Sequence, residues 1–422
     1  MLRKMQAPMR GLKGVRWSHT KPTVAVLYQA IEPPVINGVR KPRKPGGYQD
    51  SGADIAYALR AKGIEVITPR SSPPVDHEGW CFPDSEEGIL SAVTKGATHL
   101  WANTIVFSSH PLQTASSLDS SAPTLRVVGQ PPGLVEKFDD KMYLNNQLRA
   151  LGGFTLPDAW KATAGDDLDA LVKSIPNYPI VGKPVRGRGS HGVKVCYGAT
   201  ELKEHIESLL DESPVVLLEE FLAGEEATIT VMPPTPDRAQ YWSMPPVTRF
   251  NHQGGVAPYN GTVAVTANSR VVSEDEMHDA TYGSVMRQCE GVASLIRATA
   301  PIRIDVRRFR PNSEFAIFDI NMKPVSEMIS MVDLANIGSQ NMTGPGRPGR
   351  EDQASLTALA AAGCGWDYQS LLEHILYGAS TLQTFREYQS PFVENGRGRN
   401  ILLDKIIIRS TAFLISTAEL SC

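Results

Sequence analysis

Apolar and polar positions follow two different periods at the start of the chain. Val24 to Tyr28 is a continuous apolar run, which predicts a buried strand, and a Pro- and Gly-rich loop follows from Pro33 to Gly47. Helical spacing then connects Ile55 to Lys62, Gly63 is placed to end that helix, and Ile64 to Ile67 is a second strand candidate. The order predicts a βαβ unit.

The alternation of helices and strands continues through the first 130 residues. A helix is predicted around Ile89 to Val93, and strands are predicted at His99 to Phe107 and at Leu125 to Val128. This region therefore favours a small open α/β sheet. A further helix, with Phe138 and Leu151 on one face, is predicted to end at Gly152 and to open a new domain.

The next region breaks the parallel pattern. Tyr178 to Lys183 and Val193 to Tyr197 are strand candidates joined only by a glycine-rich loop, and so short a connection requires antiparallel pairing. A helix with Thr200 as its N-cap candidate follows, and further strands are predicted at Val215 to Leu218 and Ala227 to Met232. These elements predict an α+β unit.

Length and composition narrow the class of protein. The chain has 422 residues, enough for two or three domains, with 41% hydrophobic and 21% charged residues. Its net charge of −3 lacks the basic footprint of a nucleic-acid binder, and no apolar stretch approaches the ~18 residues of a membrane span. The five scattered cysteines lack a C-x-x-C pair, which indicates reduced thiols in an intracellular protein without a zinc site.

The positive charge is concentrated near the N-terminus. Residues 1–45 carry ten Lys and Arg against one acid, Glu32. Residues 1–21 are interpreted as a disordered basic extension of a cytoplasmic protein, and the alternative is a mitochondrial presequence.

The glycine-rich loop has several interpretations. Gly187 to Gly192 reads G-x-G-x-x-G, but a dinucleotide-binding fingerprint must open a helix, whereas Val193 to Tyr197 is a strand candidate. A protein-kinase loop is excluded because the H-R-D and D-F-G elements are missing. A flexible hairpin remains, which either covers phosphate oxygens with its backbone N–H groups or is a surface turn without a ligand.

Charged residues around this loop favour the phosphate interpretation. Lys141 and Lys183 suit a polyphosphate, and the strand-end glutamates between Glu219 and Glu226 could accept from an adenine amino group and ribose hydroxyls. Asp305 on one predicted strand, with Asp319 and Asn321 on the next, supply the hard oxygen ligands that Mg²⁺ takes beside phosphate.

With these motifs, the chain resembles the ATP-grasp superfamily and, within it, the D-alanine–D-alanine ligases and related amino-acid ligases. The resemblance covers roughly residues 22–380. It implies a three-domain α/β (α+β) fold with ATP held between the central and C-terminal domains. The predicted divisions are the extension at 1–21, an open α/β sheet at 22–130, a small α+β lid domain at 131–240, a catalytic α+β domain at 241–388 and a tail of unknown role at 389–422.

The resemblance also implies roles for single residues. Lys141 and Lys183 would contact phosphates, the loop with Gly187, Gly189, Ser190 and Gly192 would be the lid, and Glu219, Phe221, Leu222 and Glu226 would surround the adenosine. Asp305, Asp319 and Asn321 would bind two Mg²⁺, with Mn²⁺ as a substitute. Arg303, Ser190 and Ser330 would be catalytic, Arg303 facing the reacting carbonyl and Ser330 lying where the family holds the second substrate's carboxylate.

Departures from the family pattern fall in the substrate half. Gly46 stands where the family normally has a glutamate for the first substrate's amino group, and Val256 to Thr262 lacks the usual lysine. Val325 replaces a usual glycine. With Arg40, Lys41, Arg43 and Lys44 in the loop over the first-substrate pocket, an acidic or extended carboxylate is expected rather than free D-alanine. The alternative is that these exposed loop charges are only a solvated surface.

The expected activity is Mg²⁺-dependent, ADP-forming ligation of a carboxylate to an amine through an acyl phosphate, giving a dipeptide or similar amide. The alternatives are transfer to a non-amine acceptor, a kinase-like reaction, and nucleotide binding without catalysis. Small-molecule substrates are the expected partners, without nucleic acid or membrane, and a homodimer is left open. No role is assigned to Met342 to Gly349.

Overall fold

The computed structural model describes residues 21–36, 39–40, 45–138, 140–186, 191–256, 265–322, 344–350 and 354–392. Its strands are β1 (Thr23–Tyr28), β2 (Val35–Ile36), β3 (Val39–Arg40), β4 (Glu65–Ile67), β5 (Phe82–Pro83), β6 (His99–Asn103), β7 (Arg126–Val128), β8 (Ala159–Thr163), β9 (Ile180–Pro184), β10 (Lys194–Cys196), β11 (Val215–Glu220), β12 (Glu226–Met232), β13 (Trp242–Ser243), β14 (Val247–Arg249), β15 (Ser269–Val271), β16 (Ile302–Arg308), β17 (Phe315–Asn321) and β18 (Ser380–Thr381). Its helices are α1 (Gln49–Ala61), α2 (Glu86–Thr94), α3 (Pro111–Thr114), α4 (Pro132–Phe138), α5 (Lys141–Leu151), α6 (Leu168–Ser174), α7 (Ala199–Leu210), α8 (Val265–Asn268), α9 (Ala280–Ile296), α10 (Leu356–Gly363), α11 (Tyr368–Tyr377) and α12 (Leu382–Arg386).

The first sheet has the order β18-β7-β6-β1-β4, and β5 also pairs with β1. Strands β7, β6, β1 and β4 run parallel, which confirms the predicted βαβ unit. Gly63 follows α1 with a φ of 86°, a left-handed conformation that glycine adopts without strain. The apolar side of α1 packs on β1, so that the carboxyl ends of β1 and β6 and the first turn of α1 lie at one edge of the sheet.

The chain returns to this sheet near its C-terminus. Strand β18 pairs antiparallel with β7, and Arg126 donates a 2.7 Å hydrogen bond to the carbonyl of Ala379. Helices α10 and α11 share a core with α1 and β1, and Met232 and Val247 of the third sheet belong to the same core. The division at residue 388 stays a prediction, but the last described elements are packed on the first domain as well as on the third sheet.

A segment to which the sequence assigned no role, residues 344–350, is tied to α1 by a buried charge cluster. The side chains of Arg347 and Asp54 are 2% and 0% exposed, and Arg347 Nε lies 2.8 Å from Asp54 Oδ1. Arg347 also contacts Asp50 at 2.5 Å, and Arg350 contacts Asp54 and Asp50 at 2.7 Å each. A Cβ on Gly346 would lie 2.5 Å from the Cβ of Asp54, so the segment approaches α1 too closely for a side chain there.

The central sheet has the order β10-β9-β11-β8 and is antiparallel throughout. The pairing of β9 with β10 confirms the predicted hairpin on either side of the glycine-rich loop. Helix α7 covers this sheet with Leu202, Ile206 and Leu209. The predicted N-cap at Thr200 is wrong, because Gly198 is the N-cap residue and the helix begins at Ala199.

The third sheet has the order β15-β14-β12-β16-β17, with β13 paired to β12. Helix α9 packs on it, and Val285 and Val292 share a core with Ile229 and Ile304. The predicted single helix through Phe138 and Leu151 is wrong. It is two helices, α4 and α5, because the side chain of Asp140 accepts a hydrogen bond from the Tyr143 amide and so starts a new helix at Lys141.

The predicted fold class is confirmed, since the chain has an open α/β first sheet and two antiparallel sheets covered by helices. Among the described residues, none of the helices is long and apolar enough to span a membrane. The four cysteines of this part of the chain, Cys81, Cys196, Cys289 and Cys364, form no disulfide.

Candidate functional site

Two acidic side chains meet on the last two strands of the third sheet, β16 and the edge strand β17. Asp305 on β16 lies directly opposite Asp319 on β17, and Arg303 lies opposite Asn321. Thr228 of β12 donates a 2.6 Å hydrogen bond to Asp305, and Asn321 donates one of 3.2 Å to the same carboxylate. Like charges placed opposite each other on paired strands repel, so this arrangement is stable only beside positive charge.

Part of that positive charge comes from α5. Lys141, the first residue of the helix, forms an ion pair with Asp319. Burial alone would raise the pKa of the Asp319 carboxyl, but Lys141, Lys183 and Arg303 outweigh it and hold that pKa below its ordinary value. Arg303 also lies 3.4 Å from Asp305. The local sequence explains the placement of Lys141, because the Asp140 cap fixes where α5 begins.

Lys183 lies between the central and third sheets. Its ammonium forms a 2.5 Å ion pair with Glu219 of the neighbouring strand β11, and both side chains are less than 9% exposed. The same nitrogen lies 3.4 Å from the carbonyl oxygen of Phe318, the residue that bulges from β17 between the two pairs flanking it. Asn145 of α5 contacts the other Glu219 oxygen at 3.4 Å. A cationic and an acidic side chain are therefore buried together where the central and third sheets meet.

Glu226, at the start of β12, is buried beside one imidazole and two guanidinium groups. His252 Nε2 lies 2.8 Å from its carboxylate, and Arg249 and Arg307 lie 3.4 and 3.6 Å away. Burial raises the pKa of this carboxyl. The His252 hydrogen bond and the two guanidinium groups together outweigh burial, so the pKa lies below its ordinary value and the group stays ionised. The cluster fixes the position of a carboxylate that still has lone pairs for further donors.

Two apolar residues, Phe221 and Leu222, lie between Glu219 and Glu226 in the chain. Leu222 is 4% exposed, and the Arg307 guanidinium lies 5.0 Å from the centre of the Phe221 ring. Arg307 also donates a 2.6 Å hydrogen bond to the carbonyl of Gly255. A Cβ on Gly255 would lie 3.0 Å from the Phe221 ring, which indicates close packing of that loop on the ring.

Several predicted site residues lie outside the described part of the chain. These are Gly187, Gly189 and Ser190 of the predicted lid, and Ser330 of the predicted second-substrate site. Arg40 is described only in its backbone, and Lys41, Arg43 and Lys44 are outside the described residues. Gly192, at the far end of the lid loop, has a φ of 69° and packs against Leu209 and Pro184.

The donor set at Asp305 and Asp319 fits a hard divalent cation. Among the described residues, no group of three or more His, Cys, Asp or Glu side chains is arranged to hold a metal ion. The candidate set therefore consists of two carboxylates and the amide oxygen of Asn321, which suits a cation that completes its shell with phosphate oxygens or water.

Some residues of the site were missed by the sequence reasoning. They are Thr228 and Asn145, which contact predicted acids, and Arg249, His252 and Arg307, which surround Glu226. In the sequence these residues stand out only as polar residues in or near predicted elements. Whether they contact a site acid depends on which strand lies opposite, and the local sequence does not show that.

Known proteins resemble this chain in sequence as well as in fold. Residues 153–339 match the model of the family described as D-ala D-ala ligase C-terminus. A D-alanine–D-alanine ligase from Syntrophotalea carbinolica is 23% identical over 210 residues, which are 50% of this chain and 57% of that protein. A D-alanine–D-alanine ligase from Aquifex aeolicus is 32% identical over 93 residues, covering 22% of this chain and 31% of that protein. The chain thus matches about half the length of these relatives or less.

Solved structures extend the likeness to most of the chain. A D-alanine–D-alanine ligase from Bacillus anthracis complexed with ATP superposes with a TM-score of 0.54 at 16% identity, over 87% of this chain and 99% of that one. D-alanyl-alanine synthetase A from Vibrio cholerae gives a TM-score of 0.56 at 12% identity, over 86% and 99%. At such identities the likeness establishes the fold. Residues 153–339 therefore resemble the C-terminal part of the D-alanine–D-alanine ligases, and most of the chain shares the fold of these solved structures.

Proposed function

We propose that the protein is an ATP- and Mg²⁺-dependent ligase that joins a carboxylate to an amine and forms ADP. The observation that carries the proposal is the charge cluster in which Lys141 meets Asp319 while Lys183 meets Glu219 and the Phe318 carbonyl. Two lysines and two acids from four separate segments of the chain converge there, and the match of residues 153–339 to the D-ala D-ala ligase family model supports the same activity.

The lysines are proposed to bind the phosphates of ATP. Both are held by acids, so nucleotide binding would exchange each carboxylate partner for phosphoryl oxygens of greater negative charge. Glu219 would then accept from the adenine amino group, and Phe221 and Leu222 would contact the base. Glu226, held by His252, Arg249 and Arg307, would accept from the ribose hydroxyls.

Asp305, Asp319 and Asn321 would hold Mg²⁺ at the phosphate end of the nucleotide site. Bound there, Mg²⁺ would offset the charge of the phosphoryl oxygens and orient the γ-phosphate. Asp305 is kept in place by Thr228, and Arg303 lies beside it. We propose two Mg²⁺ ions at this site, as the family resemblance implies.

A carboxylate must be activated before an amine can attack it, because oxide is a poor leaving group. A carboxylate oxygen attacks the γ-phosphorus of ATP in line, the bond from that phosphorus to the ADP oxygen breaks, and an acyl phosphate forms. The amine then attacks the acyl carbon and inorganic phosphate leaves. Arg303 is proposed to stabilise the oxyanion of that step, a contact of a kind worth about 10²–10³ in rate. Lys141 and Lys183 would hold the phosphates by their positive charge and form no covalent bond to the substrates.

The test is ADP release measured with paired carboxylates and amines, with and without Mg²⁺. We expect release only when ATP, Mg²⁺ and both organic substrates are present, and Asp319→Asn should abolish it because the change removes a charge from the metal site at nearly constant shape. Asp169→Asn is the matched control, since Asp169 lies at the surface in a pair with Lys203. Release without Mg²⁺, or unchanged release from Asp319→Asn, contradicts the proposal, and release without amine indicates a kinase-like reaction.

A further inference from the structure

The last described residues of the chain, 388–392, fold back onto helices α4 and α5. Phe392 is 5% exposed and belongs to the same core as Phe138 at the end of α4. Tyr388 packs against that core, and its hydroxyl donates a 2.8 Å hydrogen bond to the carbonyl of Ile296 at the end of α9. This stretch, whose end has no role assigned from the sequence, is therefore part of the packed fold.

Phe392 contacts both sides of the break between α4 and α5. The centre of its ring lies 5.7 Å from that of Phe138, the last residue of α4, and 6.4 Å from that of Tyr143 in the first turn of α5. The interplanar angles are 89° and 85°, and Phe138 and Tyr143 are themselves stacked at 6.1 Å. Edge-to-face pairs are favourable at about 4.5–7 Å between ring centres. The three rings therefore form one aromatic cluster across the break.

The first turn of α5 is fixed at the same place. The Tyr143 amide donates a 2.9 Å hydrogen bond to the side chain of Asp140, the cap residue of the helix. Tyr143 thus carries both the N–H that the cap binds and the ring that Phe392 contacts. The Lys141 amide donates a 3.4 Å hydrogen bond to the carbonyl of Val185, which follows β9. The cap, the base of the glycine-rich loop and Phe392 therefore hold one turn of helix.

Lys141 lies in that turn, and its ammonium forms the ion pair with Asp319. Binding and catalytic contacts depend steeply on geometry, and a displacement of about 1 Å can cost 10²-fold in rate. Because α5 begins so soon after α4 ends, the angle between the two helices sets where the Lys141 ammonium lies. Of the three rings in the aromatic cluster, Phe392 is the one that comes from outside these helices, so it opposes a change in that angle.

We propose that Phe392 is a positioning residue for ATP binding. By packing on Phe138 and Tyr143 it fixes the first turn of α5 and, with that turn, the Lys141 ammonium. The inference rests on the proposed function, in which Lys141 contacts phosphate. It gives a role to a stretch that lies beyond residue 380, where the resemblance to the ligase family ends.

The first test is the affinity for a non-hydrolysable ATP analogue with Mg²⁺, measured by titration calorimetry well below the melting temperature of each variant. Phe392→Ala should raise the Kd about tenfold, the scale of one weakened hydrogen bond to a charged group. Phe392→Leu should restore most of the affinity, because it refills most of the space that alanine leaves. An unchanged Kd in Phe392→Ala contradicts the proposal.

Phe385→Ala is the matched control. Phe385 is 0% exposed and belongs to the core of the first sheet, in which none of the described residues comes from α5. This variant should lose stability, because it also leaves a cavity in a packed core, and should keep the wild-type Kd. A rise in Kd equal to that of Phe392→Ala shows a general effect of lost stability and refutes the positioning role.

Lys141→Ala shows whether Phe392 acts through the lysine. In the Lys141→Ala background, Phe392→Ala should change the Kd by less than about twofold, because the contact that it positions is already gone. The same tenfold rise in both backgrounds shows that Phe392 affects another part of the site, and it overturns the inference.

Hydrogen exchange tests the position of α5 without nucleotide. The Tyr143 and Leu144 amides bond the side chain and the carbonyl of Asp140, and in Phe392→Ala they should exchange at least about tenfold faster than in wild type. Phe385→Ala should leave their exchange unchanged. If wild type does not bind the ATP analogue, the proposed function fails and exchange alone decides the inference. Equal exchange in the two variants refutes it, and so does faster exchange in Phe392→Ala with an unchanged Kd.

Discussion

Replacing Arg347 with alanine removes the guanidinium that ties residues 344–350 to α1. The side chain is 2% exposed and contacts Asp54 at 2.8 Å and Asp50 at 2.5 Å. It also donates to the backbone carbonyls of Val75 and Asp50 at 3.2 and 3.1 Å. Its loss leaves two carbonyls without that donor and leaves the fully buried Asp54 with Arg350 as its remaining guanidinium.

The expected cost follows from burial. Removing one partner of a buried ion pair typically costs 3–5 kcal/mol, and because Arg350 still neutralises Asp54 we expect a loss near the lower end, about 3 kcal/mol of unfolding free energy. Lys203→Ala is the control, because Lys203 contacts Asp169 at a similar 2.9 Å, but the two side chains are 33% and 64% exposed. Exposed pairs contribute about 0–1 kcal/mol.

The assay is urea unfolding followed by tryptophan fluorescence, with the slope compared between variants so that a midpoint shift reports stability. Asp54→Asn and the double variant with Arg347→Ala complete a cycle, and the double variant should cost less than the sum of the two single ones because the residues contact each other. If Arg347→Ala costs no more than Lys203→Ala, the cluster contributes little and residues 344–350 are not held as described.

Four further outcomes are expected. Lys183→Ala and Glu226→Ala should each raise the Kd for ATP at least about tenfold, the first through phosphate and the second through ribose contacts, measured by titration calorimetry. Unchanged affinity in both contradicts the nucleotide site. Arg303→Ala should lower kcat about 10²-fold with little change in KM, because its contact strengthens in the transition state. Burial and Arg126 lower the pKa of His99 to about 4. Its neutral form is therefore favoured in the folded state, and stability should fall as pH drops from about 6.5 toward 4, since the unfolded state takes up the proton first. His99→Gln should flatten that slope in unfolding measured at each pH. Changing Arg40, Lys41, Arg43 and Lys44 together to alanine should alter the donor profile in the ADP assay if that loop selects acidic substrates.

Local sequence determined those features that depend on neighbouring residues. The run from Val24 to Tyr28 and the helical spacing from Ile55 produced the parallel unit of the first sheet, and the short loop after β9 required an antiparallel partner. The same reasoning joined α4 to α5 because apolar spacing carries across a cap, and it placed a cap at Thr200 where the backbone N-cap is Gly198.

The family motifs located most of the candidate site, because motif residues stand close together in sequence around strand ends. Asp305 and Asp319 were predicted on adjacent strands, and the register places them directly opposite each other. Their assigned roles, and those of Lys141 and Lys183, remain predictions. So does the substrate preference attributed to the basic loop, most of which lies outside the described residues.

Only the tertiary structure decided which charges meet. Glu226 finds Arg249 and Arg307 because β12 lies between β14 and β16, and nothing in its local sequence specifies those neighbours. Arg347 reaches Asp54 across 293 positions of the chain. Periodicity reports which face of an element is buried, whereas pairing and satisfaction of buried polar groups depend on how distant elements pack.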